Sequence, residues 1–462
     1  ALKSQLDIDR ETIIIFQQLL KWDGPKAIEL GPYVGGGNAF SGTAWVFDDA
    51  KLDPRLLAST EPGGYYNGPC SLGKFNTHYL GGVAHELGHA LGLPHETERP
   101  EETGRFGSSL MGAGNHTYGN ELRGEGRGTF LSSAAALPLS VHPLFTGQPK
   151  ASTPLTCQIT EITAETEPGR FTLRGQLTGG PRVIGVVAYS DPQEVPGDYD
   201  AFTATSPVDQ AGRFDVSITD LKPGLYELRL RPIGAGGDTT YFHYSFEVDA
   251  QKLPHVESIL EGPWLRRAFA AYSARDGKQL ARVVAEARRA LPQAAALHRK
   301  LAHYQKLAAT KPPRPLSTVP AAAKSAALAD LVWDSASTGW GPSLRNQVAR
   351  NGDASGLLEV GGRFFESGLY AHAPASHVVT LTKGWKTLST QYGLQDRHDG
   401  SAVFVIKGDG KELFRSPKIT DHQVREQSVD IDGVARLELV VEDAGDGANS
   451  DWGVWLNPTL QR

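Results

Sequence analysis

The chain is poor in sulfur, has no long apolar run and carries no excess of positive charge. Only Cys70 and Cys157 occur in 462 residues. They could form one bridge at most, so a disulfide framework is excluded and the redox compartment stays open. No apolar stretch reaches the ~18–20 residues that span a bilayer, which excludes a transmembrane helix. The formal net charge is −6, and that balance does not point to nucleic acid. What is plentiful is glycine and proline, 52 and 29 residues, beside 40% hydrophobic residues. This composition fits a loop-rich, β-leaning globular protein. At about 150 residues per domain the length suggests about three domains. One segment departs from the acidic balance. From Lys252 to Arg314 thirteen Lys and Arg face four Asp and Glu, either a solvated helix face or a basic brace for acidic neighbours.

The densest chemistry lies in His85-Glu86-Leu87-Gly88-His89-Ala90-Leu91-Gly92-Leu93-Pro94-His95. On a helix, positions i and i+4 share a face, so His85 and His89 reach one ion together. Gly92 lets the chain leave the helix, and the turn at Pro94 returns His95 as a third nitrogen. Catalytic zinc commonly takes three such ligands and a water. Glu86, beside the first ligand, is placed to take a proton from that water. Histidines scattered by chance on a helix surface would not show this full spacing.

The only methionine, Met111, follows the third histidine in the Gly-flanked turn Ser108-Ser109-Leu110-Met111-Gly112. With it the chain resembles the metzincin metallopeptidases. That resemblance implies an α/β catalytic domain over residues 1–150, His85, His89 and His95 as Zn2+ ligands, Glu86 as the catalytic base and Met111 as the floor of the site. Glu96 and Ser109-Leu110-Met111 are similar to the astacin branch, from which Ala113 departs where that branch carries a tyrosine. Tyr118 is a candidate phenol for the developing oxyanion, and Trp45, Tyr65 and Tyr66 are candidate substrate contacts.

Along the chain, Asp9 to Leu20 reads as a capped amphipathic helix ending near Trp22-Asp23-Gly24. Lys26–Leu30 and Gly42–Phe47 read as strands around a Gly35-Gly36-Gly37 loop, with the second as a substrate-binding edge. Gly63–Pro69 reads as a loop, and the metal helix as starting near Thr77. Thr129–Phe145 reads as the helix that closes the domain, and Gln148–Pro154 as a linker. Residues 151–250 carry six short alternating strands between turn signals, which predicts an immunoglobulin-like β-sandwich serving as a spacer. Residues 251–320 hold a small helical segment starting at Pro263, with apolar stripes at Leu265, Phe269, Tyr272, at Leu280, Val283, Val284, Ala287, Leu291 and at Leu297, Leu301, Tyr304, Leu307, then a Pro- and Ala-rich linker.

Residues 321–462 turn β-rich again, with strands at Val378–Leu381, Ala402–Lys407 and Ala435–Val441 and a hairpin turn at Asp409-Gly410. The segments Gly339-Trp340-Gly341-Pro342, Gly368-Leu369-Tyr370-Ala371-His372-Ala373-Pro374 and Asp451-Trp452 resemble the NPCBM type of carbohydrate-binding module, a jelly-roll-like β-sandwich. The resemblance implies sugar binding, with His372, Trp340 and Trp452 as candidate contacts. Packing is the more common fate of the histidine and of both tryptophans. Asp443, Asp446 and Asp451 are candidate Ca2+ ligands.

A metallopeptidase joined to such a module also resembles bacterial proteases directed at mucin-type O-glycoproteins. It implies a secreted or cell-surface monomer whose signal peptide has been removed, a glycoprotein substrate, carbohydrate as partner and neither nucleic acid nor membrane span. The alternatives are a general endopeptidase merely anchored to glycans and a non-catalytic adhesin. A structural zinc normally closes with four protein ligands and needs no base beside it, which counts against the adhesin.

Overall fold

A computed structural model describes residues 7, 10–148, 154–193, 198–309, 315–317, 319, 322–349, 356–396, 398 and 400–462. The chain forms two compact units, Ala1–Pro263 and Trp264–Arg462. It is mostly β-sheet with few helices, and among the described residues no helix is long and apolar enough to cross a membrane.

The first unit begins with strands β1 (Thr12–Gln17), β2 (Leu20–Asp23), β3 (Lys26–Glu29), β4 (Val34–Gly37) and β5 (Gly42–Phe47). The expected opening helix is therefore a strand followed by a hairpin strand. Ile13-Ile14-Ile15 are β-branched and lose side-chain freedom in a helix, and β1 instead pairs in parallel with β5. The sheet order is β1-β5-β4. The glycine run expected as a loop is thus the edge strand, and β5, expected at the edge, is central. β6 (Pro62–Tyr65) and β7 (Pro69–Ser71) pair across the glycine-rich stretch.

Helix α1 (Leu72–Ala90) starts earlier than Thr77, because Ser71 caps it by accepting the Lys74 N–H at 3.1 Å. It lays Val83, Leu87 and Ala90 on Ala44 and Val46 of β5. The helix backbone approaches the sheet so closely that a Cβ on Gly42 would lie 1.8 Å from the Ala90 carbonyl oxygen. After α2 (Pro100–Phe106), the short strand β8 (Ser108–Ser109) and α3 (Asn120–Arg123), the expected closing helix is divided. It becomes β9 (Thr129–Phe130), α4 (Ser133–Val141) and α5 (Pro143–Thr146), with His142 extended at ψ 131 between the helices. A residue before proline is driven out of the helical region, which separates α4 from α5. Of the expected linker, residues 149–153 lie outside the described residues.

The second half of this unit is a sandwich of two sheets. One has the order β10 (Gln158–Glu167), β11 (Arg170–Thr178), β14 (Arg213–Ile218). The other runs β13 (Phe202–Pro207), β12 (Val183–Pro192), β15 (Gly224–Gly234), β16 (Phe242–Val248), β17 (Pro254–His255). Phe171, Leu173, Val186, Val216, Leu228 and Phe246 fill the space between them. Strand β13 had not been anticipated; its Phe-Thr-Ala-Thr-Ser-Pro sequence is too polar to signal a strand. Both cysteines are free thiols.

Helix α6 (Glu257–Ser273) contains Pro263 in its interior rather than at its start. In the second unit, α7 (Gly277–Ala290) and α8 (Ala295–Ala309) bury Leu280, Val283, Val284, Ala287 and Leu297, Leu301, Tyr304 together with Leu265, while Phe269, Tyr272, Leu291 and Leu307 are half-buried at the margin of the stripes. Part of the basic segment does meet acidic partners: Lys300 pairs with the buried Glu359 at 2.7 Å, and Lys306 with Glu366 at 3.2 Å. The C-terminal sandwich packs a sheet of β18 (Ser325–Ala327), β29 (Trp452–Gln461), β24 (Thr387–Leu394) and β27 (Arg425–Asp430) on one of β19 (Ser335–Ser337), β23 (Ala375–Thr380), β28 (Arg436–Glu442), β25 (Val403–Gly408) and β26 (Lys411–Arg415). β22 (Gly368–His372) joins the first sheet beside β29. Asp409 and Gly410, at φ 51 and 80, make the expected hairpin turn from β25 to β26.

The close approach of α1 to the sheet gives a stability prediction. Gly42→Ala should cost about 2–3 kcal/mol in urea unfolding, the upper part of the range for overpacking. Gly36→Ala, which would meet nothing within 4 Å, should stay within about 0.5 kcal/mol.

Candidate metal centre

The face of α1 turned away from the sheet carries His85 and His89. The helix then closes in a Schellman turn: Gly92 adopts φ +82, its N–H donates to the His89 carbonyl at 2.9 Å, and the Leu93 N–H donates to Gly88 at 3.0 Å. That turn returns the chain so that His95 meets the helix pair. Nε2 of His89 lies 3.1 Å from Nε2 of His85 and 2.9 Å from Nε2 of His95. A tetrahedral zinc site has ligand nitrogens roughly 3.3 Å apart, from Zn–N bonds of ~2.05 Å.

The protonation pattern supports the same reading. Nδ1 of His85 donates to the Leu110 carbonyl at 2.6 Å, and Nδ1 of His89 to the Leu93 carbonyl at 2.8 Å. Carbonyls only accept, so both rings carry their proton on Nδ1 and turn an Nε2 lone pair inward. Lone pairs meeting at 3 Å repel unless a cation lies between them. The residues therefore fit a metal ion, and among the described residues these three form the only His, Cys, Asp or Glu group whose ligand atoms converge this way. Burial lowers the pKa of His85 and takes that of His89 down to about 4, so the His89 ring stays neutral in mild acid.

Met111 is fully buried, packed with Leu93 and Ala135. Its sulfur lies 2.4 Å from where a Cβ on Gly88 would be, so the helix must have glycine there. The turn that holds it is fastened by Glu96, which is also buried: its N–H donates to the Met111 carbonyl at 3.3 Å and its carboxylate accepts from Ser109 Oγ at 2.8 Å. Glu86 is half-buried. Burial raises its pKa to about 7, against the opposing effect of the N–H that Gly35 donates from edge strand β4. A cation in the triad would draw it back down.

The aromatic candidates divide. Tyr118 is 42% exposed, with its Cβ beside Gly81, one turn ahead of His85 on α1. The Tyr66 hydroxyl meets Nδ1 of His116 at 2.9 Å, and its ring stacks on His78 with centroids 4.0 Å apart. Tyr65 is half-buried in β6. Trp45 alternates with Ala44 and Val46, the residues that pack on α1, so it projects from the opposite face of the sheet, away from the ligands. Sequence reasoning missed Gly35 and Tyr199. The Tyr199 ring stacks on His95 with centroids 3.8 Å apart.

In the C-terminal sandwich, Trp340 is 41% exposed and leans on the buried Trp452, with centroids 5.1 Å apart. His398 stacks on Trp452 at 3.9 Å, and His372 is buried. Trp340 is thus the member of the three that offers an open face. The three aspartates do not converge as a ligand group. Asp446 pairs with Lys418 and accepts from Ser401 Oγ at 2.8 Å, while the buried Asp451 accepts the Ser401 N–H at 2.8 Å. The pattern of the NPCBM/NEW2 domain family matches this region. Residues 324–461 are an NPCBM/NEW2 domain.

No curated protein matches the chain by sequence. Among solved structures, the chain is similar to OgpA from Akkermansia muciniphila, including a catalytically inactive form in complex with an O-glycopeptide substrate. The identity to that form is 21%, over 52% of this chain and 65% of the other, with a TM-score of 0.44. The chain thus spans less than two thirds of the length of OgpA. A CBM51 module from Clostridium perfringens GH95, in complex with methyl-galactose, is matched over 30% of this chain and 99% of its own, at 27% identity and a TM-score of 0.27. Scores this low carry no functional argument.

The depressed ligands predict how metal affinity depends on pH. Three ordinary imidazoles with pKa ~6.5 would weaken zinc binding about fifty-fold between pH 7.5 and 6. Competition with a chromophoric chelator, in a Glu86→Gln variant to remove that carboxylate's titration, should show a loss of no more than about fifteenfold, the figure with His89 alone neutral throughout.

Proposed function

We propose that this chain is a zinc-dependent endopeptidase of metzincin type that acts on glycoproteins, with mucin-type O-glycosylated proteins as its substrate class. The observation that carries the reading is the convergence of three Nε2 atoms beside a half-buried carboxylate. Zinc, when bound, supplies Lewis acidity to the reaction. Glu86 then takes a proton from the attacking water and delivers it to the leaving amine, the work of a general base and acid placed at the reacting atoms. Edge strand β4 has no strand on its outer side among the described residues, and its Gly35 N–H faces Glu86. An extended substrate adding to that edge would bring its scissile bond to the carboxylate.

The glycoprotein part of the reading is supported by the NPCBM/NEW2 domain at residues 324–461, with the exposed face of Trp340 as a sugar platform. The same domain supports a second reading, a general endopeptidase that the module only anchors to glycans. Either role places the enzyme outside the cell, where such substrates occur.

Glu86→Gln should bind zinc as the unaltered protein does and lose at least a hundredfold in cleavage rate, the lower end for a general base. Full activity in that variant would remove the mechanism. Digestion of an O-glycosylated protein, with the new termini mapped, should stop after enzymatic deglycosylation. Equal cleavage of both forms would leave the anchored general peptidase.

A further inference from the structure

Tyr199 belongs to the β-sandwich, in the turn between β12 and β13, yet its ring lies on the imidazole of His95 with centroids 3.8 Å apart and planes 26° apart. The ring is 49% exposed, so core packing does not account for its position. Backbone contacts on both sides fix it there. The Ala201 N–H donates to Asp198 across the turn, and the Thr97 N–H, two residues after His95, donates to the Ala201 carbonyl at 2.9 Å. Arg99 reaches from the same segment to the Thr203 carbonyl at 2.8 Å, to Thr219 Oγ1 at 2.6 Å and to Asp220. On the sandwich side, Asp198 is paired with Arg229.

The three ligands are not held alike. His85 and His89 stand on one helix, whereas His95 follows the turn that ends it. A ring laid over its imidazole resists rotation of that side chain and keeps its Nε2 directed at the other two. We propose that Tyr199 is a positioning residue for metal ligand His95, which makes the β-sandwich a working part of the metal centre rather than a spacer. The inference rests on the triad's being a zinc site and does not depend on the reaction carried out there.

The test is zinc affinity by chelator competition in the full chain, together with the absorption spectrum of the cobalt-substituted protein. The unaltered protein is measured first, and a chain that failed to bind zinc would sink both readings. Binding without cleavage of any protein would sink only the peptidase. Tyr199→Ala should lose at least tenfold in zinc affinity and show an altered cobalt spectrum, since residues that support a ligand typically contribute 10–100-fold. Tyr199→Phe, which keeps the ring, should stay within about threefold. Leu225→Ala, an exposed position in the same sandwich, should match the unaltered protein. The metal-free melting temperatures of the variants should agree, which separates ligand positioning from folding. If Tyr199→Ala fails to fold, Tyr199→Leu takes its place, because it keeps bulk without a planar face. Wild-type zinc affinity in whichever of these folds, or an equal loss in Tyr199→Phe, would overturn the proposal.

Discussion

The Nε2 lone pairs of His85 and His89 face each other at 3.1 Å beside the Nε2 of His95, and the first unit is built so that the two helical rings cannot turn away. Carbonyl oxygens of Leu110 and Leu93 hold the far sides of His85 and His89. The helix that carries them is pressed against β5 at Gly42 and against Met111 at Gly88, with no room for a side chain at either place. A cation relieves the repulsion that this framework imposes. On the zinc reading, the ordering cost of the ligands would be met when the chain folds and not when an ion arrives.

Much of this centre was legible in the sequence. Helical periodicity fixes the relation of His85 to His89, and Gly92 marks a turn that few other residues enter, so the local geometry follows from the local sequence. The errors arose where local sequence serves two masters. Asp9 and the apolar residues after it satisfy a helix pattern, but three consecutive isoleucines favour a strand once β5 is available as a partner. Gly35-Gly36-Gly37 has the composition of a loop, yet it forms an edge strand, in which a helix lies too close for a side chain at Gly35 and Gly37. Trp45 was placed near the substrate on its chemistry. Only the side of β5 that packs on Ala90 decides the direction of its ring, and alternation alone leaves that choice open.

Tyr199 lay beyond any such reading, because its partner is over a hundred residues away and nothing in Asp198-Tyr199-Asp200 distinguishes it from an ordinary turn. The C-terminal unit was more legible. Its strands alternate, its hairpin turn is marked by Asp409-Gly410, and the apolar stripes of α7 and α8 have a single buried side. Charge patterning also held information there: of the two ways to read the basic segment, the pairing of Lys300 with Glu359 favours the brace.

The seam between the α1 region and the first sandwich is made of groups that water would have to replace if it opened. Thr97 is joined to Phe202 as a strand bridge, Arg99 spans three sandwich residues, and Leu137 packs where Gly185 has no side chain. A chain cut near residue 150 would leave a guanidinium, a strand edge and an apolar patch uncovered. Length along the sequence is thus a poor guide to what can be separated. The contacts that cover the histidine motif come from a sandwich that begins more than sixty residues after the motif ends.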